Sequence, residues 1–430
     1  MNKTIQEAVM NKECNVLVAQ SGGPTTVINA SLAGVIARAL KEETIDCIYG
    51  AEHGIQGLLE ERLVPLHRLF NGKKDLIEGL KLTPSMFLGS CRYRLQPMSE
   101  NIIEYERIFQ IFHNYQIKYF FYIGGNDSMD TVDKLSAYAK LKGLDVSIIG
   151  IPKTIDNDLV EVDHTPGFGS AAKYIASSIL EISHDTYIYN TKTVVIVEIM
   201  GRNAGWLAAS TALARNSYSD APHLIYLPER AFSESQFLKD VKEQLKHRQQ
   251  VVIAVSEGIK DAKGDYIAAK SCQVDQFGHV ALSGAGKYLE GLVQQEIGCK
   301  VRSVELNVLQ RCAMHLSSLT DVKEAFTLGE MGVEAALQGE TGVMVGIRRI
   351  SDAPYQVEYV TIDIHKVANH ERKVPLDFIC PAGNDITEEM VDYLTPLIQG
   401  EPTIFYEAGI PKYLSLKDLV QHKQIYQSYI

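Results

Sequence analysis

The sequence predicts an α/β fold with mainly parallel sheets, and three features point to it. Short runs of β-branched and aromatic residues are almost continuously apolar, longer segments of helical periodicity separate them, and glycine-rich or acidic turns recur where the runs end. A strand covered on both faces reads as an unbroken apolar run, whereas a half-exposed strand alternates apolar with polar residues. The predicted strands cover residues 15–19, 118–123, 146–151, 193–199, 223–227, 251–255 and 342–347. Helical segments between them include residues 27–41, 128–142 and 169–182. A weak boundary falls at residues 163–169, where strand–loop chemistry gives way to a new helix. Residues 361–430 carry their own helix signal over 385–399 and read as an extension of the core. No low-complexity tract, Pro/Ser-rich linker or fixed-period repeat interrupts this pattern.

With 430 residues, 46% of them hydrophobic and 22% charged, the chain has the make-up of a soluble globular protein with room for two or three domains. Its net charge of −11 leaves no surplus of Lys and Arg to neutralise phosphates. No nucleic acid and no membrane is therefore expected as a partner, and a phosphorylated ligand must be met by a local basic pocket. The cysteines (Cys14, Cys47, Cys91, Cys272, Cys299, Cys312, Cys380) form no CxxC pair, and their odd number argues against a disulfide framework. Residues 1–13 are polar without an apolar signal core, and no apolar run approaches membrane-spanning length. A cytoplasmic location is expected.

In an open α/β sheet, ligands bind outside the carboxyl ends of the strands. After the first strand, Ser21-Gly22-Gly23-Pro24-Thr25-Thr26 opens a helix; glycines allow close backbone approach, and a helix N-terminus offers free N–H groups to a phosphate. This turn is neither GxGxxG nor a Walker A sequence, and a tight turn without ligand explains it equally well. Leu88-Gly89-Ser90-Cys91-Arg92-Tyr93-Arg94 places two arginines beside a Gly-Ser turn. Gly124-Gly125-Asn126-Asp127-Ser128 repeats the strand–glycine–helix design, with Asn126 or Asp127 as a plain helix cap being the bland alternative. Pro152-Lys153-Thr154-Ile155-Asp156-Asn157-Asp158 is the richest of these ends: two carboxylates two residues apart behind a lysine suggest a base or metal ligand acting on an anionic substrate. Met200-Gly201-Arg202 and Ser256-Glu257-Gly258 end two further strands, and Arg302 and Arg311 flank a later segment. Caps and surface charges account for any one of these elements but poorly for all of them at strand ends.

Taken in order, these elements resemble the phosphofructokinase family over roughly residues 15 to 350, with Thr154-Ile155-Asp156-Asn157-Asp158 the most specific part. The resemblance implies two Rossmann-like three-layer α/β domains with the active site in the cleft between them. The division is a donor-binding domain (residues 1–165, with a returning segment at about 310–360), a sugar-phosphate-binding domain (166–309) and a C-terminal extension (361–430). It further implies phosphoryl transfer to the 1-hydroxyl of fructose 6-phosphate with Mg²⁺. Asp156 matches the family's catalytic base, Thr154 and Asp158 match groups that orient the reactants, and Arg202 matches the arginine that stabilises the phosphoryl group in flight. Met200, Gly201 and Glu257 match the sugar pocket, and Arg302 and Arg311 match arginines on the 6-phosphate, one such contact in the family crossing a subunit interface. Gly23, Arg92 and Ser128 match the donor side, and Asn126 and Asp127 the metal side. A homodimer or homotetramer is the implied assembly.

ATP-using members look like Gly-Gly-Asp-Gly-Ser and Pro-Gly-Thr at the second and third strand ends. Asp127 and Lys153 place this chain with the pyrophosphate-using type. A carboxylate in place of glycine fills and charges the place of a nucleotide's α-phosphate, and a compact lysine charge suits a small, highly charged donor. This chain departs from the family pattern in three places. Asn126 replaces an aspartate associated with Mg²⁺, Pro24 replaces an aspartate common in ATP-using members, and Val308 stands where some members have a histidine, with Lys192 as a compensating charge. The alternatives are an ATP-dependent phosphofructokinase, a related acceptor such as sedoheptulose 7-phosphate, and a catalytically silent regulatory subunit, which would be expected to lose Asp156.

Overall fold

The computed structural model describes residues 14–188, 190–271 and 284–421. The polar N-terminal stretch 1–13 and Cys272 lie outside the described residues, and the other six cysteines are free thiols. The core strands are β1 (Cys14–Gln20), β2 (Ile45–Ala51), β3 (Leu63–Pro65), β4 (Ile117–Gly124), β5 (Ser147–Pro152), β6 (Thr193–Ile199), β7 (Leu224–Tyr226), β8 (Gln250–Ser256), β9 (Lys300–Glu305), β10 (Val343–Asp352) and β11 (Tyr355–Asp363). They form a seven-stranded sheet in the order β11-β10-β5-β4-β1-β2-β3 and a four-stranded sheet in the order β7-β8-β6-β9. All pairs are parallel except β2–β3 and β10–β11 at the two edges of the larger sheet.

The unbroken apolar runs have a direct cause. Val16 and Val18 of β1, Phe121 and Ile123 of β4, and Ile149 and Ile151 of β5 enter one core, while their neighbours Leu17, Ala19, Phe120, Tyr122 and Ile148 enter a second core on the opposite face. The smaller sheet is divided in the same way, with Val195 and Val197 on one side and Val194 and Ile196 on the other. Each sheet is thus the middle of a three-layer α/β unit. Over the larger sheet the helices Ile28–Ala39 and Leu319–Leu337 cross in near-backbone contact: a Cβ at Gly34 would lie 2.0 Å from the Phe326 carbonyl oxygen, and one at Gly329 would lie 2.1 Å from that of Ser31. Larger residues at either position would push the helices apart.

Of the predicted elements that differ in extent, two show a clear cause. The strand expected at 342–347 runs on to Asp352, because β10 leaves its parallel pairing with β5 after Met344 and continues as an antiparallel ribbon with β11. The helix expected at 385–399 is an α-helix only over Glu388–Leu394, followed by a 3-10 turn Thr395–Ile398 that contains Pro396, which has no N–H to continue an α-helical ladder. Among the described residues, no helix is long and apolar enough to cross a membrane.

Candidate active site

The carboxyl ends of both sheets open onto two adjoining cavities of about 610 and 420 Å³. Gly22, Gly23, Asp127 and Ser128 line both. The larger continues past Arg92, Arg94, Tyr122 and Arg311, and the smaller past Asn126, Lys153, Thr154, Asp156, Asp158, Arg202 and Glu371.

The turn after β1 places Gly22 at φ 80°, a left-handed conformation suited to glycine, which brings main chain rather than side chain to the cavity wall. The Ser21 and Ser128 hydroxyls lie 2.5 Å apart and tie this turn to the one after β4. Gly125 stands at the N-cap of the helix Asn126–Lys142, so neither Asn126 nor Asp127 is the cap. Asn126 instead donates from Nδ2 to the His370 carbonyl at 2.8 Å, and its Oδ1 is buried without a hydrogen-bond partner.

After β5, Lys153 is 3% exposed and its ammonium is bound to the Gly23 carbonyl. Burial, opposed by the charges of Asp156 and Asp158, pushes its pKa down to about 8. Asp156 and Asp158 flank Asn157, which holds a φ of 53°. Burial, and then the charge of Glu257, holds the Asp156 carboxyl above the ordinary carboxylate range; Asp158 is raised by burial and by Asp156 itself. Both carboxylates thus take up a proton more readily than ordinary ones, and a positive charge entering the cavity would favour their ionised forms.

From the smaller sheet, the turn after β6 contributes Arg202 and Asn203. Ser256 Oγ donates to the Gly201 carbonyl at 2.6 Å, Gly201 N–H donates to Glu257 at 3.3 Å, and Met200 N–H donates to Gln310 Oε1 at 3.2 Å, so the ends of β6 and β8 and the turn after β9 form one surface. Arg311 lies against the first turn: a Cβ at Gly23 would be 3.2 Å from its Nη1.

Of the expected residues, Met200, Gly201 and Glu257 line neither cavity but adjoin the Arg202 turn, whereas Arg302 stands well apart from the cleft. Arg302 lies on the edge strand β9, exposed, with Nη1 3.5 Å from Asp185 Oδ2. Three residues before the strand's carboxyl end correspond to about 10 Å of rise, which sets Arg302 back from its own cavities. Lys192 and Val308 are also apart within the chain, one before the start of β6 and the other beyond the end of β9. Conversely, Glu371 was not anticipated. It follows no strand and belongs to no glycine turn, so the sequence carried no signal for it beyond the charged run His370-Glu371-Arg372-Lys373.

Two mainly parallel sheets whose strand ends gather glycine turns, arginines, a buried lysine and paired carboxylates define a protein built to handle phosphorylated small molecules. A phosphofructokinase family profile matches residues 15–335. A pyrophosphate–fructose 6-phosphate 1-phosphotransferase of Xanthomonas campestris pv. campestris is 44% identical over 96% of this chain and 98% of its own length. One of the same name from Methylococcus capsulatus is 40% identical over 96% of this chain and 99% of its own. The crystal structure of a pyrophosphate-dependent phosphofructokinase from Nitrosospira multiformis superposes with a TM-score of 0.83 at 40% identity, covering 94% of this chain and 96% of that one. The chain belongs to the phosphofructokinase family.

Proposed function

We propose that the protein is a phosphotransferase that moves a phosphoryl group reversibly between pyrophosphate and the 1-hydroxyl of fructose 6-phosphate, giving fructose 1,6-bisphosphate and phosphate. The observation that carries this reading is the joint presence of Asp127 and Lys153 on the wall shared with Asp156, Asp158 and Arg202. The names of the relatives support the same donor.

In the forward direction the sugar's O1 bonds to the phosphorus, the bridging P–O bond of pyrophosphate breaks, and the leaving phosphate carries away the electron pair. Asp156 takes the O1 proton; its raised pKa makes it a better base than an ordinary aspartate. Thr154 and Asp158 orient the reacting groups, with Thr154 Oγ1 accepting from the Asp156 N–H at 3.1 Å. Arg202 stabilises the charge on the phosphoryl group in flight. Gly23, Arg92, Ser128, Lys153 and Asp127 form the donor side, the last excluding a nucleotide. Met200, Gly201 and Glu257 line the sugar pocket, and Arg311 reads the 6-phosphate. Arg302, outside its own cleft, serves the 6-phosphate of a partner subunit in a homodimer or homotetramer.

Mg²⁺ belongs to this reading. Among the described residues no three His, Cys, Asp or Glu side chains are grouped to cage a metal. Mg²⁺ commonly keeps several waters and is shared between one or two protein oxygens and substrate phosphates. The unpartnered Asn126 oxygen and the neighbouring Asp127 carboxylate fit that mode, and they would hold the ion, which neutralises charge on the donor. The division into a donor-binding domain (1–165 with 310–360), a sugar-phosphate domain (166–309) and an extension (361–430), and a cytoplasmic setting in sugar-phosphate metabolism, complete the reading. Comparing pyrophosphate and ATP as donors to fructose 6-phosphate tests it: turnover with ATP alone would overturn the donor assignment.

A further inference from the structure

Residues 369–374 cross from one α/β unit to the other at the mouth of the cleft. Asn369 Nδ2 donates to Asp130 Oδ1 at 2.9 Å beside the larger sheet, and Val374 N–H donates to Glu229 Oε1 at 3.0 Å beside the smaller one. Midway along, Arg372 binds the turn that carries Asp156 and Asp158. Its main-chain N–H donates to the Asp158 carbonyl at 2.7 Å. Its guanidinium donates to the carbonyls of Val162 at 2.8 Å, Asp163 at 2.7 Å and Asn157 at 3.2 Å. Among the described residues no carboxylate pairs with it. The other face of this arginine meets the opposite wall of the cleft: the guanidinium lies 4.6 Å from the Trp206 ring centre, and the indole N–H donates to the Arg372 carbonyl at 3.2 Å. Trp206 opens the short helix that follows the Arg202 turn.

We propose that Arg372 is a positioning residue for phosphoryl transfer, setting the separation and aim of Asp156 on one wall relative to Arg202 on the other. This rests on the roles given above to those two residues. The turn needs such a hold because Asn157, between the two carboxylates, sits in the left-handed region that non-glycine residues adopt at some cost. Two further bonds brace it, from Thr165 N–H to Asn157 Oδ1 at 3.1 Å and from Asn157 Nδ2 to Tyr393 at 3.0 Å. Only a planar, forked donor can meet three carbonyls while stacking on an indole; a lysine in its place keeps the charge but not the geometry.

The test compares R372A and R372K with the wild-type chain, using whichever of pyrophosphate or ATP the wild type turns over. Failure of the donor reading therefore leaves this test standing. Misplacement of reacting groups by an ångström costs about 100-fold, so kcat of R372A is expected to fall by about that factor while KM for fructose 6-phosphate stays within about threefold. R372K falls by about tenfold, and free guanidinium restores part of the kcat lost in R372A. Because Trp206 is the only tryptophan, its emission reports loss of the stacked guanidinium independently of turnover. A folded R372A with kcat within about twofold of wild type overturns the proposal, as does a loss confined to KM. Should R372A not fold, the same thresholds applied to R372K decide.

Discussion

Lys153 Nζ donates a 2.7 Å hydrogen bond to the Gly23 carbonyl, joining the turn after β5 to the turn after β1 from beneath. A Cβ at Gly22 would lie 3.1 Å from the same nitrogen, so the lysine charge sits directly behind glycine main chain at the wall of the smaller cavity, which Lys153 itself helps to line. A charge so placed attracts a compact anion above the turn without occupying the space the anion needs.

Replacing both donor-side determinants follows from this. Asp127→Gly with Lys153→Gly should give measurable turnover with ATP and lower kcat/KM for pyrophosphate by about 100-fold, as expected for losing a preorganised charge at a phosphoryl donor. The switch will be incomplete, because removing the lysine also frees the Gly23 carbonyl it holds. A coupled assay of the double variant with each donor checks this; no ATP activity at all would mean that the size and charge of Asp127 do not exclude the nucleotide.

Asp156→Asn should lower kcat by a factor of about 100 to 10,000, the range supplied by a positioned base. Its thermal midpoint should equal or exceed that of the wild type. Burial, and then Glu257, raises the Asp156 pKa to about 6, so carrying the carboxylate at neutral pH costs the folded protein stability relative to the unfolded chain, a cost that a neutral amide removes. Calorimetry beside the rate measurement separates a lost base from a lost fold, and a large drop in midpoint would contradict the buried-base description.

The acid limb of the pH–rate profile should lie above the ordinary aspartate pKa, because activity requires the Asp156 carboxylate and its pKa is raised by burial, by Glu257 and by Glu371. Glu371→Gln removes one of those negative charges and should move the limb to lower pH. An unmoved limb would show that Asp156 is not the group titrating.

Away from the cleft, His164 is fully buried with Nδ1 2.7 Å from Asp163 and Nε2 2.7 Å from Glu324. Burial alone would lower its pKa; the Glu324 charge and the bonds to both carboxylates outweigh that and push it up to about 9 from an ordinary 6.5. A raised pKa contributes stability that is complete below the unfolded value and is lost as the pH rises through the folded one. Over that interval the imidazolium contributes about 3 kcal/mol. Urea denaturation of the wild type should therefore show this loss as pH rises through about 9, and His164→Gln should not show it. His164→Ala, which takes the cationic partner from the buried Glu324 while Asp163 keeps Arg349 at 2.9 Å, should cost about 3 kcal/mol at neutral pH.

The parts of the fold that the sequence made legible are those where one physical constraint acts alone. β1, β4, β5, β6 and β8 are buried on both faces, so most of their residues are apolar, with Gln20 and Glu198 among the few polar exceptions, and the turns at their ends needed glycine or a functional side chain. β9 is half-exposed, and β11 alternates as an antiparallel edge does, which made both quieter signals. The paired carboxylates and the Arg202 turn were legible because they directly follow such strands. Glu371 and Arg372 were not, because their place at the site comes from a chain crossing that only the tertiary structure creates. Arg302 was legible as a residue but not as a location, since register along an edge strand decides how far it stands from the cleft.

Donor choice is decided by initial velocities with fructose 6-phosphate and Mg²⁺ at matched concentrations of pyrophosphate and ATP. Rapid turnover with pyrophosphate, reversal when fructose 1,6-bisphosphate and phosphate are supplied, and little or no rate with ATP are expected. A rate with ATP alone would contradict the pyrophosphate assignment, leaving the family membership intact and the roles given to Asp127 and Lys153 wrong.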